Sequence, residues 1–96
     1  MKTQDPGYID NKEQVRNRLR RISGQIGGIE RMVEEERYCI DILTQISAAQ
    51  AAIDKVALAL LDEHTRHCVV GAKSAAEREE KTEEMMEAVG RLLKSR

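Results

Sequence analysis

The chain contains no tryptophan and no phenylalanine, and only two tyrosines and one proline among its 96 residues. Without aromatic and β-branched density a sheet has little to build on, and with a single proline little interrupts a helix. No apolar run approaches the roughly 20 residues that a membrane-spanning helix needs. The opening Met1-Lys2-Thr3-Gln4-Asp5 has no leader-like apolar stretch. A cytoplasmic protein with no membrane partner is therefore expected. Two cysteines are too few for a disulfide scaffold, and in a reducing compartment they are expected as thiols or ligands. Outside the candidate ligands described below there is no nucleophile–base pair, and there is no glycine-rich phosphate loop. An enzyme with an organic small-molecule substrate is not expected.

What is present favours helix. Ala, Ile, Leu, Glu, Lys, Arg and Gln dominate, and the length suits one small all-α domain over residues 1–96. Periodicity predicts three helices over about 11–35, 38–69 and 75–94, after a flexible arm at 1–9 that carries Pro6-Gly7. Asp10 and Glu13 resemble a capping box. Val15, Leu19, Ile22, Ile26, Ile29 and Val33 then recur at alternating spacings of four and three, a heptad seam. Gly24, Gly27 and Gly28 interrupt its helix propensity, which suggests a neighbouring helix approaching closely. Glu34-Glu35-Glu36-Arg37 is expected to carry the turn. A second seam runs through Leu43, Ile46, Gln50, Ile53, Ala57 and Leu60. Gly71 reads as a helix stop, Ser74 with Glu77 as a capping box, and Met85, Val89, Leu92 and Leu93 as the last apolar stripe. Met32, Met85 and Met86 are read as core.

Charge is uneven although the net value is −1. Between Lys12 and Arg31 six basic residues face two acidic ones, while the stretch from Val33 to Ser74 has four basic against seven acidic. One cationic helix on a near-neutral chain suits a local polyanion surface; the plainer reading is a solvated helix face.

The second seam, extended by fours, reaches Cys39 at one end and His64 and Cys68 at the other. His64 and Cys68, at i and i+4, share a helix face, so an imidazole and a thiolate can close on one metal ion. Cys39 cannot join them in its own chain, because twenty-five helical residues rise roughly 40 Å. In an antiparallel pair with its dyad near Ile53, positions 39 and 67 face each other, and two equivalent intersubunit sites form. Two thiolates and one imidazole make a soft donor set, suited to Cu(I) and tolerated by Zn(II). Three ligands fit the low coordination of Cu(I), whereas structural zinc takes four. His67, three residues beyond His64, is a candidate extra nitrogen ligand that would also suit Ni(II). Tyr38 can supply a hydrogen bond to the ligating imidazole. Taken singly, a cysteine on an apolar stripe is most often a small hydrophobe. The joint placement of three donors on one stripe argues for a site.

The stretch Arg18-Leu19-Arg20-Arg21-Ile22-Ser23-Gly24-Gln25-Ile26-Gly27-Gly28-Ile29-Glu30-Arg31-Met32 resembles the first-helix signature of the copper-sensing repressors of the CsoR/RcnR family. Tyr38-Cys39-Ile40-Asp41-Ile42-Leu43-Thr44-Gln45-Ile46 resembles the opening of that family's second helix, and His64-Thr65-Arg66-His67-Cys68-Val69 its H-x-x-x-C-V element. The resemblance covers roughly residues 10–93. It implies a three-helix protomer, an antiparallel four-helix-bundle dimer and a dimer-of-dimers tetramer. It also implies a repressor that binds operator DNA and is released by its ligand, controlling copper-resistance genes.

Within the family, the pattern Cys39, His64, Cys68 is similar to that of the Cu(I) sensors. The nickel and cobalt sensors place His where Cys68 stands and add an N-terminal His, absent from residues 1–10. The persulfide sensors lack a His at the position of His64, and the formaldehyde sensors lack the second cysteine. Tyr38 and Glu84 correspond to hydrogen-bond partners of the ligating imidazole. Arg18 and Lys55 correspond to DNA contacts, with Arg20 and Arg21 as neighbours. The resemblance implies that Cu(I) weakens DNA binding; a Ni(II)- or thiol-stress-responsive repressor is the alternative within the family. Outside it stand a metal-buffering helical oligomer that binds no DNA, and an inert scaffold.

Overall fold

The structure, a computed structural model, describes residues 6–95; Met1 to Asp5 of the expected arm, and Arg96, lie outside them. The described residues form three α-helices and no strand: α1 at Lys12–Glu34, α2 at Cys39–His64 and α3 at Ala75–Lys94. A 3₁₀ turn at Ile9–Asn11 precedes α1, and a π-helical segment at Thr65–Val70 continues from α2. Among these residues no helix is long and apolar enough to cross a membrane. By its internal contacts the chain divides into two compact units, Asp10–Ala59 and Met1–Ile9 with Leu60–Arg96.

In the first unit α1 starts differently from expectation. Asp10 lies inside the 3₁₀ turn, and Asn11 occupies the cap position without a side-chain hydrogen bond. Glu13 instead pairs with Arg16 at 3.2 Å across one turn. The end of α1 explains how a turn forms without glycine or proline. Glu36 takes the left-handed conformation at φ 56°. The Glu36 amide donates to Val33 at 3.1 Å and the Arg37 amide to Met32 at 3.0 Å. These two bonds are a Schellman closure, with glutamate where glycine is usual. The α1 seam is divided: Val15 and Ile22 are buried, while Leu19, Ile26 and Val33 are exposed. Among the described residues, nothing beyond the helix's own backbone and the adjacent residues comes within 4 Å of a Cβ built on Gly24, Gly27 or Gly28. The close packing expected at these glycines is therefore not made among the described residues of one chain. On α2, Leu43, Ile46 and Ile53 are 51, 36 and 43 % exposed, so the stripe that begins at Cys39 is open to solvent in a single chain.

In the second unit the α-helical ladder does not run to residue 69. It gives way after His64 to the π segment, where each turn holds an extra residue and the side chains are re-aimed. The Thr65 hydroxyl bonds back to the Leu61 carbonyl at 2.8 Å. Gly71 ends the segment at φ −80°. Its need for glycine is therefore not a left-handed turn: a Cβ there would lie 2.8 Å from the His67 carbonyl oxygen. Ser74 caps α3 as expected, its hydroxyl accepting from the Glu77 amide at 3.1 Å. The Glu77 carboxylate accepts from the Lys73 amide at 3.2 Å, one residue before the capping-box partner. α3 packs against the π segment. Met85 is half-buried there, whereas Met86, expected in the core, is exposed.

Candidate metal and anion sites

His64 closes α2 and Cys68 lies in the middle of the π segment, so both belong to the second unit. His64 is half-buried and Cys68 is buried. The arm reaches them. Gly7 is buried rather than loose, with φ 90°, a conformation open to glycine. A Cβ built on it would lie 3.3 Å from Cys68 Sγ and 3.7 Å from His64 Nδ1. The imidazole nitrogen and the thiol sulfur thus both lie against Gly7, a residue with no side chain to push them away.

Cys39 is the first residue of α2 and is exposed, next to Tyr38 at 70 % exposure. Among the described residues no three His, Cys, Asp or Glu side chains of one chain are gathered to hold a metal. Cys39 lies in the first unit, and His64 and Cys68 in the second. His67 turns its Nε2 to the Glu63 carboxylate at 3.0 Å. Glu84 lies exposed on α3 with Lys81 4.0 Å away.

A second site lies in the first unit. Arg18, Arg21, Ile22 and Gln25 of α1 and Ala52, Lys55 and Leu58 of α2 line a pocket of about 510 Å³. The residues follow from helical spacing: 18, 21, 22 and 25 share one face of α1, and 52, 55 and 58 one face of α2. Arg20 lies two residues from both Arg18 and Ile22, about half a turn round the helix, and does not line the pocket. Among the described residues, Arg18, Arg21 and Lys55 form no salt bridge, whereas Arg16 is paired with Glu13. Gln25 was not singled out from the sequence, although its position four residues after Arg21 was signal enough. Gly7 and Thr65 carried no comparable signal, because their roles depend on contacts between segments distant in sequence.

An all-α chain with a soft-donor pair at one helix end and a cationic pocket elsewhere has the makings of a ligand-responsive regulator. The chain belongs to the metal-sensitive transcriptional repressor family, which matches residues 11–91. It is 49 % identical over 84 residues to the copper-sensing transcriptional repressor CsoR of Bacillus subtilis (strain 168), covering 88 % of this chain and 83 % of that one. Its fold matches the crystal structure of the copper-sensing repressor CsoR with Cu(I) from Geobacillus thermodenitrificans NG80-2. The TM-score there is 0.81 at 40 % identity, over 97 % of this chain and 94 % of that one. The nickel-responsive transcriptional regulator InrS matches with a TM-score of 0.72 at 38 % identity, over 82 % of this chain and 89 % of that one.

Proposed function

We propose that this chain is a Cu(I)-responsive repressor, acting in the cytoplasm, whose metal-free form holds operator DNA and whose Cu(I)-bound form lets it go. Its fold is shared by copper- and nickel-responsive proteins, so the metal is chosen on the donor set. The observation that carries the choice is that His64 Nδ1 and Cys68 Sγ both lie against Gly7, combined with the exposed Cys39. Cys39 of one protomer and His64 and Cys68 of a second would supply two thiolates and one imidazole. That set favours Cu(I) over harder ions. His67 already faces Glu63 and is not needed to complete it.

The exposed α2 stripe of Leu43, Ile46 and Ile53 supports the pairing, since burying it against a second copy removes apolar surface from water. An antiparallel four-helix-bundle dimer, doubled to a tetramer, is the assembly this reading requires. The DNA contacts are Arg18, Arg21 and Lys55; Arg20, about half a turn round α1 from Arg18, adds to the cationic charge of the helix. Metal binding acts first on the second unit, where the π segment carries Cys68 and packs on α3. Tyr38 of one protomer and Glu84 of another would hold the ring of His64.

Two measurements on the purified protein test this. Anaerobic Cu(I) titration followed by X-ray absorption should give one Cu(I) per protomer with two sulfurs and one nitrogen. Titration of fluorescent operator should show at least about tenfold weaker binding with Cu(I), the usual scale of regulatory coupling. Operator affinity unchanged by Cu(I) would overturn the reading.

A further inference from the structure

The pocket in the first unit holds more chemistry than a phosphodiester backbone uses. Arg18, Arg21 and Lys55 bring three cations to one cavity, and apart from Gln25 its remaining wall is apolar: Ile22 is 6 % exposed, Ala52 half-buried and Leu58 63 % exposed. We propose that this pocket binds a small organic phosphate, a monophosphate ester with an apolar or aromatic body, and that its occupancy opposes DNA binding. The second half of the proposal rests on the DNA-binding reading above; the first half does not.

The argument is one of size, charge and surface. About 510 Å³ lies within the range of small-molecule pockets and far exceeds what a bare phosphate fills. Guanidinium forks match phosphate oxygens two at a time, and an ammonium adds a point charge. Three cations that form no salt bridge among the described residues suit a monoester, which carries close to two negative charges at neutral pH, better than a phosphodiester with one. The apolar wall is the feature that a backbone phosphate leaves unused. Leu58 stands open at a cationic cavity, and an apolar body laid over it and Ile22 removes that surface from water. Gln25 offers an amide to a polar edge of that body. Because the ester and DNA would draw on the same cations, each must weaken the other by the same factor.

The test uses the full-length protein, with phenyl phosphate as probe and inorganic phosphate and phenol as controls, by calorimetry at constant ionic strength. Phenyl phosphate is expected to bind at least about tenfold tighter than inorganic phosphate, the gain from covering one ring face. Phenol alone should not bind. Leu58→Ser, at a position 63 % exposed in the single chain and with helical content and oligomeric state checked against wild type, should abolish the preference for the ester while leaving operator affinity unchanged. Lys55→Gln should weaken phenyl phosphate about tenfold, the scale of one charge-assisted hydrogen bond. Phenyl phosphate should also displace fluorescent operator at concentrations where inorganic phosphate does not.

Equal binding of the two phosphates would overturn the proposal. So would no binding at all, the result expected if a second copy of the chain covers the pocket. The two readings fail separately. Phenyl phosphate binding by a protein that holds no operator defeats the DNA reading and keeps the pocket. Salt-dependent operator binding with no phenyl phosphate uptake defeats the pocket alone.

Discussion

The Thr65 hydroxyl lies 3.2 Å from Met85 Sδ, joining the residue after His64 to α3. It is the side-chain link between the ligand-bearing π segment and the helix packed on it. Thr65→Val keeps the volume and removes the hydroxyl, so a loss of about 1 kcal/mol in unfolding free energy is expected. Urea unfolding followed by helical circular dichroism measures it, with wild type and variant at one protein concentration because assembly adds to stability. Thr65→Ser restores the hydroxyl and should recover most of the loss. Equal stability of Thr65→Val and wild type would show that the link contributes nothing.

Glu36 adopts φ 56° to close the end of α1. A side chain in the left-handed region costs about 1 kcal/mol, and glycine escapes that cost. Glu36→Gly should therefore stabilise the protein by somewhat under about 1 kcal/mol, since glycine also frees the unfolded chain. Glu35, at φ −81°, provides the control. Glu35→Gly relieves no strain and should not stabilise, so a gain there equal to that at Glu36 would contradict the account.

These two sites mark where the sequence was legible and where it was not. α3 was expected at 75–94 and spans those residues, because Ser74 announces its start and Met85, Val89 and Leu92 keep a helical period. The end of α1 was located only as an acidic stretch, since glutamate at a glycine position carries no local signature. The π segment was invisible for a related reason. An i, i+5 ladder depends on one extra residue held by tertiary contacts, and Thr65-Arg66-His67-Cys68-Val69-Val70 reads equally well as α-helix. The His64–Cys68 pair was legible because i and i+4 stay on one side of either kind of helix. The approach of Gly7 was not, because it joins residues far apart in the chain. Arg18, Arg21 and Lys55 were marked by resemblance, but that they line one pocket with Leu58 needed the structure.

Gly71 ends the π segment with no room for a side chain, a Cβ lying 2.8 Å from the His67 carbonyl oxygen. That contact is with backbone, so Gly71→Ala must displace the turn itself. A destabilisation of about 1–3 kcal/mol is expected, the usual cost of overpacking. Amide exchange should rise most over Thr65–Val70 and not along α1, which lies in the other unit. A uniform rise throughout the chain would show that the strain is not local. Gly24→Ala is the contrast: among the described residues only its own helix lies within 4 Å of the new methyl, so a loss of stability there would point to a partner copy.

Lys55 lines the same pocket as Arg18 and Arg21 and forms no salt bridge among the described residues. Neutralising a phosphate contact removes one released counterion, so its signature is a change in slope rather than in affinity alone. For Lys55→Gln the plot of log K against log salt should become shallower by about one unit per contacting protomer, with affinity falling alike on operator and unrelated DNA. Arg16 gives the comparison, because it is held by Glu13 at 3.2 Å and lies outside the pocket. Arg16→Gln should change the slope less than Lys55→Gln. If the two variants shift it equally, the cationic face acts as a diffuse field and the pocket has no special part in DNA binding. If Lys55→Gln lowers operator affinity with the slope unchanged, Lys55 contacts something other than phosphate.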